Sequence, residues 1–259
     1  MKIGAYQFAV TGDVKSNVDF IKKAVLQASN EKVKLLVFPE CALTGYPPHD
    51  IERPSDVDFD ELEIMYKKLQ YMAAENDMHI VVGSVTKADG KYYNSAVIFS
   101  PDKERLFYHK RALWGWDSDF TPGDQNGVFE LEGFKIGIRI CFEVRFPEYF
   151  RELYAWHTDL NIILFYDTAD HDDTERYDLI KAHIRTRAVE NVCHILSVNT
   201  IRPYQTAPTA LFDKSGGVLK ELERNAEGLL IYDLVSMQDT FGEQGRREIS
   251  DRLTLKQHI

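Results

Sequence analysis

The chain has 259 residues, 44% of them hydrophobic and 28% charged, with 15 glycines and 9 prolines, which excludes a disordered or collagen-like polymer and suffices for a sizeable core. Lys and Arg number 31 against 41 Asp and Glu, a formal charge of −10, so neither nucleic acid nor an anionic membrane surface is an expected partner. No signal-like N-terminus and no apolar run of about 18 residues is present, so no bilayer span is expected and the expected location is cytoplasmic.

Residues 2–8 alternate like a strand, and residues 15–30 place Val18, Ile21, Val25 and Ala28 at helical spacing. The apolar run at 33–38 is too short for a helix and reads as a buried strand, which makes a β-α-β opening. Residues 61–76 predict a helix with Leu62, Met65, Leu69 and Met72 on one face. Strands at 79–85, 92–99 and 105–109, separated by turns at Asp89-Gly90 and Pro101-Asp102, predict a meander. The second half repeats the theme: strand 135–140, helix 148–156, strand 160–165, helix 175–190 and strand 194–198. Three short strands follow, near 209–213, 218–221 and 228–233, and then a polar tail from about 236. No linker or repeat divides the chain, so residues 1–259 are expected to form one α/β domain with helices covering mixed sheets.

Three cysteines, Cys41, Cys141 and Cys193, are widely spaced and lack a Cys-x-x-Cys pair, so any special cysteine is expected to be a thiol. Cys141 follows the strand at 135–140 and precedes Phe146-Pro147-Glu148, which turns the chain into a helix. A cysteine at such a junction lies at a cleft edge near free backbone N–H groups, but its ordinary pKa of about 8.5 leaves it mostly protonated at pH 7. A nucleophilic role therefore needs a base or a cation nearby. Glu40 stands directly after an apolar strand, where Pro39 ends the ladder, and suits a general base with a raised pKa. Lys110 ends the strand at 105–109 and could offset charge developing on a substrate oxygen. Singly, each has an ordinary explanation: a small buried hydrophobe, a turn-opening glutamate and a solvated lysine.

Together, one glutamate, one lysine and one cysteine at three strand ends are a specific pattern. The segments that carry it are FPE followed by TGY (residues 38–46), HK followed by FTPGD (109–124), and ICFEVRFPE (140–148). HIRTRAVENVCHILSVN (183–199), TALFDKSGGVLKEL (209–222) and the opening IGAYQF extend the pattern over nearly the whole chain. The sequence thus resembles the nitrilase superfamily of carbon-nitrogen hydrolases.

The resemblance implies a four-layer α-β-β-α sandwich, dimeric through its helices, that needs no cofactor. It implies a catalytic triad carried onto Glu40, Lys110 and Cys141, with the backbone N–H of Phe142 and Lys110 holding an oxyanion. The implied substrate is a small linear amide or carbamoyl compound. A nitrile hydrolysed to an acid is the alternative within enzymes, and a catalytically silent interaction module is the alternative outside them. Phe142, Asp117, Tyr46 and Tyr166 are the expected substrate-binding residues, Tyr166 opening the stretch where the family's loops line the pocket. The family's usual second glutamate before Phe-x-Pro-Gly is missing, and only Asp117 or Asp119 could replace it, Asp117 being preferred.

The stretch 166–178 is rich in aspartate (Asp167, Asp170, Asp172, Asp173, Asp178). It predicts either an acidic rim that favours neutral or amine-bearing substrates and repels anionic half-amides, or acids that cap the following helix. Four adjacent residues, Asp170 to Asp173, cannot readily enclose one ion, and no metal site is expected. His109 and His183 read as packing residues, and Arg145, Glu148 and Glu190 as ion-pairing neighbours of the site.

Overall fold

The computed structural model describes residues 1–235 and 238–256. Two six-stranded sheets lie back to back between helical layers. The first contains β1 (Lys2–Gln7), β2 (Leu35–Val37), β3 (His79–Ala88), β4 (Lys91–Phe99) and β5 (Leu106–His109), and it closes with β14 (Gly228–Asp233) in the order β14-β1-β2-β3-β4-β5. The second contains β6 (Val128–Leu131), β7 (Phe134–Ile140), β8 (Leu160–Phe165), β10 (His194–Asn199), β12 (Ala210–Phe212) and β13 (Val218–Glu221), in the order β13-β12-β10-β8-β7-β6. A separate two-residue pair joins β9 (Thr168–Ala169) to β11 (Tyr204–Gln205).

Each sheet has parallel strands at its centre, β1-β2-β3 in one and β7-β8-β10 in the other. These central strands are buried on both faces, which explains their near-continuous apolar sequences. Along β7 and β8 the alternation sorts side chains between two cores. Ile136, Ile138, Ile140, Ile162 and Leu164 meet Ile3, Ala5, Leu35 and Val37 between the sheets. Ile163 and Phe165 face outward onto the helices, among Phe150, Ile180 and Ile184. The first sheet's outer face packs on α1 (Val14–Asn30) and α2 (Phe59–Glu75), the second's on α3 (Pro147–Ala155) and α4 (Thr174–Asn191). The α-β-β-α layering expected from the resemblance is therefore present.

The helices begin where the local chemistry says they should. Asp13, Asp58 and Asp173 accept hydrogen bonds from first-turn N–H groups of α1, α2 and α4, and Pro147 opens α3. Several elements differ from expectation, the two-residue β9 and β11 among them. Strand β6 is only four residues long and was not foreseen. The polar segment expected as a tail contains α5 (Phe241–Lys256). Its start carries a Thr-x-x-Glu cap: Thr240 N–H donates to Glu243 Oε2 at 2.7 Å, and Glu243 N–H donates to Thr240 Oγ1 at 3.4 Å. Ser236, Met237 and residues 257–259 of the expected tail lie outside the described residues. Among the described residues no helix is long and apolar enough to cross a membrane.

Candidate active site

Three strand ends converge at one end of the sandwich. Beyond β2, Phe38 N–H still reaches Val81 O, but Pro39 has no donor and the chain turns away. Glu40 N–H then crosses to the other sheet and donates to Phe165 O at 3.2 Å. The elbow lies directly on Gly83 of β3. A Cβ there would come within 2.2 Å of Pro39 O and 2.5 Å of Glu40 Cα, so only glycine permits the approach.

Glu40 and Lys110 are 1% and 2% exposed, and together with Asp117 they form one buried charged group. Lys110 Nζ lies 2.8 Å from Glu40 Oε1 and 2.8 Å from Asp117 Oδ2. Glu40 Oε1 also accepts from Asn94 Nδ2 at 2.7 Å, and Oε2 accepts from Tyr166 N–H at 2.8 Å. Asp117 Oδ1 accepts the Tyr46 hydroxyl at 2.8 Å. Tyr46 N–H donates to Asp50 Oδ2 at 2.9 Å, and the Tyr166 side chain bonds the same carboxylate. The hydrogen bonds thus close a circuit, from Glu40 through Lys110, Asp117, Tyr46, Asp50 and Tyr166 back to Glu40. Of the two aspartates considered for the missing glutamate, Asp117 is paired with Lys110, whereas Asp119 is exposed.

Cys141 is reached from the second sheet. Strand β7 ends at Ile140, and Cys141, with φ +44°, opens a short 3-10 helix, Cys141–Arg145. Cys141 thus stands just past the strand, as expected, and as a left-handed turn residue. Glu143 secures this turn, accepting Ile140 N–H at 2.7 Å, Arg111 N–H at 2.8 Å and the Tyr108 hydroxyl at 2.8 Å. One buried carboxylate thus ties the exit of β5, which carries Lys110, to the exit of β7, which carries Cys141. The N–H groups opening the 3-10 helix have no acceptor of their own within its first turn, and Phe142 is among them.

A cavity of about 500 Å³ opens on this point. Lys110, Asp117, Cys141, Phe142, Tyr46 and Tyr166 line it, and Glu40 is held behind Lys110. Burial pushes the Glu40 carboxyl above the ordinary carboxylate range, against the pull of the Lys110 ammonium and with the push of Asp117. Burial pulls Lys110 downward, but Glu40, Cys141 and Asp117 outweigh it and hold the amine charged. Burial and the charge of Glu40 push the Cys141 thiol up, with Lys110 opposing. The resting sulfur is therefore a thiol with a carboxylate and an ammonium as its near charges.

The aspartates of the stretch 166–178 are largely taken up. Asp167 accepts from Arg176 Nε at 2.8 Å, Asp170 pairs with His171, Asp172 with Arg224, and Asp173 caps α4. The acidic-rim expectation gives way to the capping one because these charges already have partners. The cavity wall carries Arg145 instead, which no carboxylate pairs among the described residues. Glu190 pairs with Arg187, and Glu148 is exposed, so neither buttresses the cavity as expected. His109 stacks on Tyr93 and bonds Ser95, in keeping with packing. Among the described residues no group of three His, Cys, Asp or Glu could hold a metal ion.

Residues 2–240 match the carbon-nitrogen hydrolase family. The chain belongs to that family. It is similar to the 2-oxoglutaramate amidase of Bacillus subtilis (strain 168), 28% identical over 69% of this chain and 69% of that protein. It is also 28% identical to an (R)-stereoselective amidase of Pseudomonas sp, over 78% of this chain and 71% of the relative. Nitrilase homolog 2 of Dictyostelium discoideum is 31% identical over 57% of this chain, a match spanning about half of that protein's length (48%). Among solved structures, an amidase of Nesterenkonia sp. AN1 superposes with a TM-score of 0.80 at 25% identity, covering 98% of this chain and 97% of its own. That structure is of a variant carrying the acetamide moiety of fluoroacetamide covalently on its active-site cysteine.

For this carbon-nitrogen hydrolase, the residues that sequence reasoning missed are the supports: Asn94, Asp50, Glu143 and Gly83. An asparagine within the apolar run 92–99 was a readable signal, since a buried amide in a strand must find a partner. Asp50 and Glu143 carried no comparable mark.

Proposed function

We propose that the protein hydrolyses the C–N bond of a small amide through a thioester on Cys141. Glu40 takes the Sγ proton as the sulfur attacks the carbonyl carbon, and the developing oxyanion is held by Lys110 Nζ and the Phe142 N–H. When the tetrahedral intermediate collapses the C–N bond breaks, and the proton on Glu40 passes to the departing nitrogen. A water, deprotonated by Glu40, then attacks the thioester and releases the acid and the thiol. A positioned base supplies about 10² to 10⁴-fold and one oxyanion donor about 3 kcal/mol. Asp117 is placed to orient the amide NH2 and keep Lys110 charged.

The observation that carries this reading is the Lys110 ammonium bridging two buried carboxylates in the cavity that Cys141 lines. Amides rank above nitriles because the relatives are named as amidases. Arg145 favours a second element: an amide that also bears a carboxylate, since an unmatched guanidinium attracts an anion at about 4 Å by roughly 4 kcal/mol at an effective dielectric near 20, before desolvation. The family resemblance adds the expectation of a cytoplasmic homodimer or higher homo-oligomer.

Ammonia release from valeramide, succinamate, a carbamoyl amine and valeronitrile tests the proposal, with Cys141→Ser as control. Turnover of an amide, lost in that variant, together with a fluoroacetamide mass adduct on Cys141, is the expected result. No turnover and no adduct would overturn the hydrolase reading, and a valeronitrile preference would overturn the ranking. Faster turnover of valeramide than of succinamate would remove the carboxylate element.

A further inference from the structure

Trp114 and Trp116 line the same cavity as Lys110 and Cys141, yet they are 79% and 62% exposed. On a cavity wall, two indoles left that bare offer a large rigid aromatic surface to whatever enters the cavity. They flank Gly115, whose φ of +62° makes the turn, and Trp116 shares the short 3-10 helix Gly115–Asp119 with Asp117. The indoles therefore stand in fixed relation to the Lys110–Asp117 pair. From Trp116 inward, a run of aromatic rings lines part of the cavity. The Tyr46 and Tyr166 rings stack at 5.0 Å, the His49 ring lies 6.0 Å from Tyr46 and 5.9 Å from Tyr166, and Trp116 meets His49 edge-on at 4.4 Å.

The cavity is also too large for a short amide alone. At roughly 30 Å³ per water-sized group, about five non-hydrogen atoms fill roughly 150 Å³, well under the 500 Å³ available. A cationic far end is disfavoured by Arg145 and Arg176 on the same wall, of which only Arg176 is matched, by Asp167.

We propose that Trp114 and Trp116 form an outer subsite that holds a planar, uncharged ring at the far end of the substrate, several bonds from the scissile carbon. The proposal deepens the amide-hydrolase reading and rests on it for the inner end. It assigns the two tryptophans to specificity and leaves bond cleavage to the buried group.

The test compares kcat/KM for ω-phenylvaleramide and valeramide with the intact protein. The expected ratio favours the ring-bearing amide by roughly tenfold, expressed in KM. Trp114→Ala and Trp116→Ala bring the ratio toward one, and Trp116→Phe restores part of it. Trp156→Phe, outside the cavity, leaves it unchanged. In a Cys141→Ala/Trp156→Phe variant the two indoles are the only ones of the chain's three that remain. Titrating that variant with ω-phenylvaleramide should then shift indole emission saturably. A ratio near one in the native protein, or one indifferent to removing the indoles, overturns the proposal. So does a change in oligomer size in the tryptophan variants with the ratio intact, which would mean that a second copy covers the indoles. If neither amide is cleaved and Cys141 takes no adduct, the hydrolase reading fails, while the emission titration still decides the subsite.

Discussion

The Tyr46 hydroxyl donates to Asp117 Oδ1 at 2.8 Å while the other oxygen of that carboxylate holds Lys110. An aspartate is one methylene shorter than the glutamate the family usually places near the lysine, and the Tyr46 hydroxyl fixes its orientation from the far side. Tyr46→Phe should therefore lower kcat by about tenfold and, because the buried acceptor it leaves unpaired costs about 1–3 kcal/mol, should also lower Tm by several degrees. Steady-state kinetics on a simple amide decide this, and an unchanged kcat would show that Asp117 holds its place without Tyr46.

Burial raises the Glu40 carboxyl above its ordinary value of 4.5, and the Asn94 amide is among the groups that hold it down. Between the ordinary and the raised value the folded protein binds more protons than the unfolded chain, so this group makes stability fall as pH rises through that window. Activity should rise through the same window, because the base must be ionised. Asn94→Ala removes a hydrogen bond to the carboxylate, so the acid limb of kcat/KM should move to higher pH. A limb that stays in place or moves down would contradict this assignment of the base.

Lys110→Met leaves Glu40 and Asp117 buried without their shared cation. Breaking a buried ion pair typically costs about 3–5 kcal/mol, and the loss should be larger at pH 8 than at pH 5, where the Glu40 carboxyl, already raised by burial, can take up a proton instead. Thermal unfolding at the two pH values measures it. Equal losses would mean that Glu40 does not depend on Lys110 for its charge.

Gly83→Ala places a methyl group 2.2 Å from Pro39 O and 2.3 Å from Cys41 N. Overpacking of this kind costs about 1–3 kcal/mol. The elbow must shift to accept it, so activity should fall by a larger factor than stability alone explains. Activity measured well below Tm against the unfolding curve separates the two effects, and a fully active variant would show that the elbow can move without carrying Glu40 out of position.

Much of the architecture was legible because the core strands are apolar and the turns between them are punctuated by Asp-Gly and Pro-Asp. Glu40 and Lys110 stand out only in combination with Cys141, because three chemically complementary residues at three strand ends are harder to explain than any one of them alone. The rest lies in local signals that compete with pattern. The end of β7 at Ile140 agrees with the expected strand, but its cause, the Glu143 carboxylate capturing the Ile140 N–H, shows in no periodicity. The α5 helix was passed over because its sequence is polar, although Thr240 and Glu243 at its start spell a cap. The fate of the aspartates at 166–178 depends on Arg176 and Arg224, and Arg224 comes from a distant segment whose approach no local spacing discloses.

Glu40 is carried by the first sheet but is hydrogen-bonded to the second at both ends, through its own N–H to Phe165 O and through the Tyr166 N–H to Oε2. A small separation of the two sheets would therefore pull the base away from the sulfur while each sheet kept its ladder. On warming, catalysis should fade before either sheet melts, and the temperature optimum should report the seam between the sheets rather than the strength of either one.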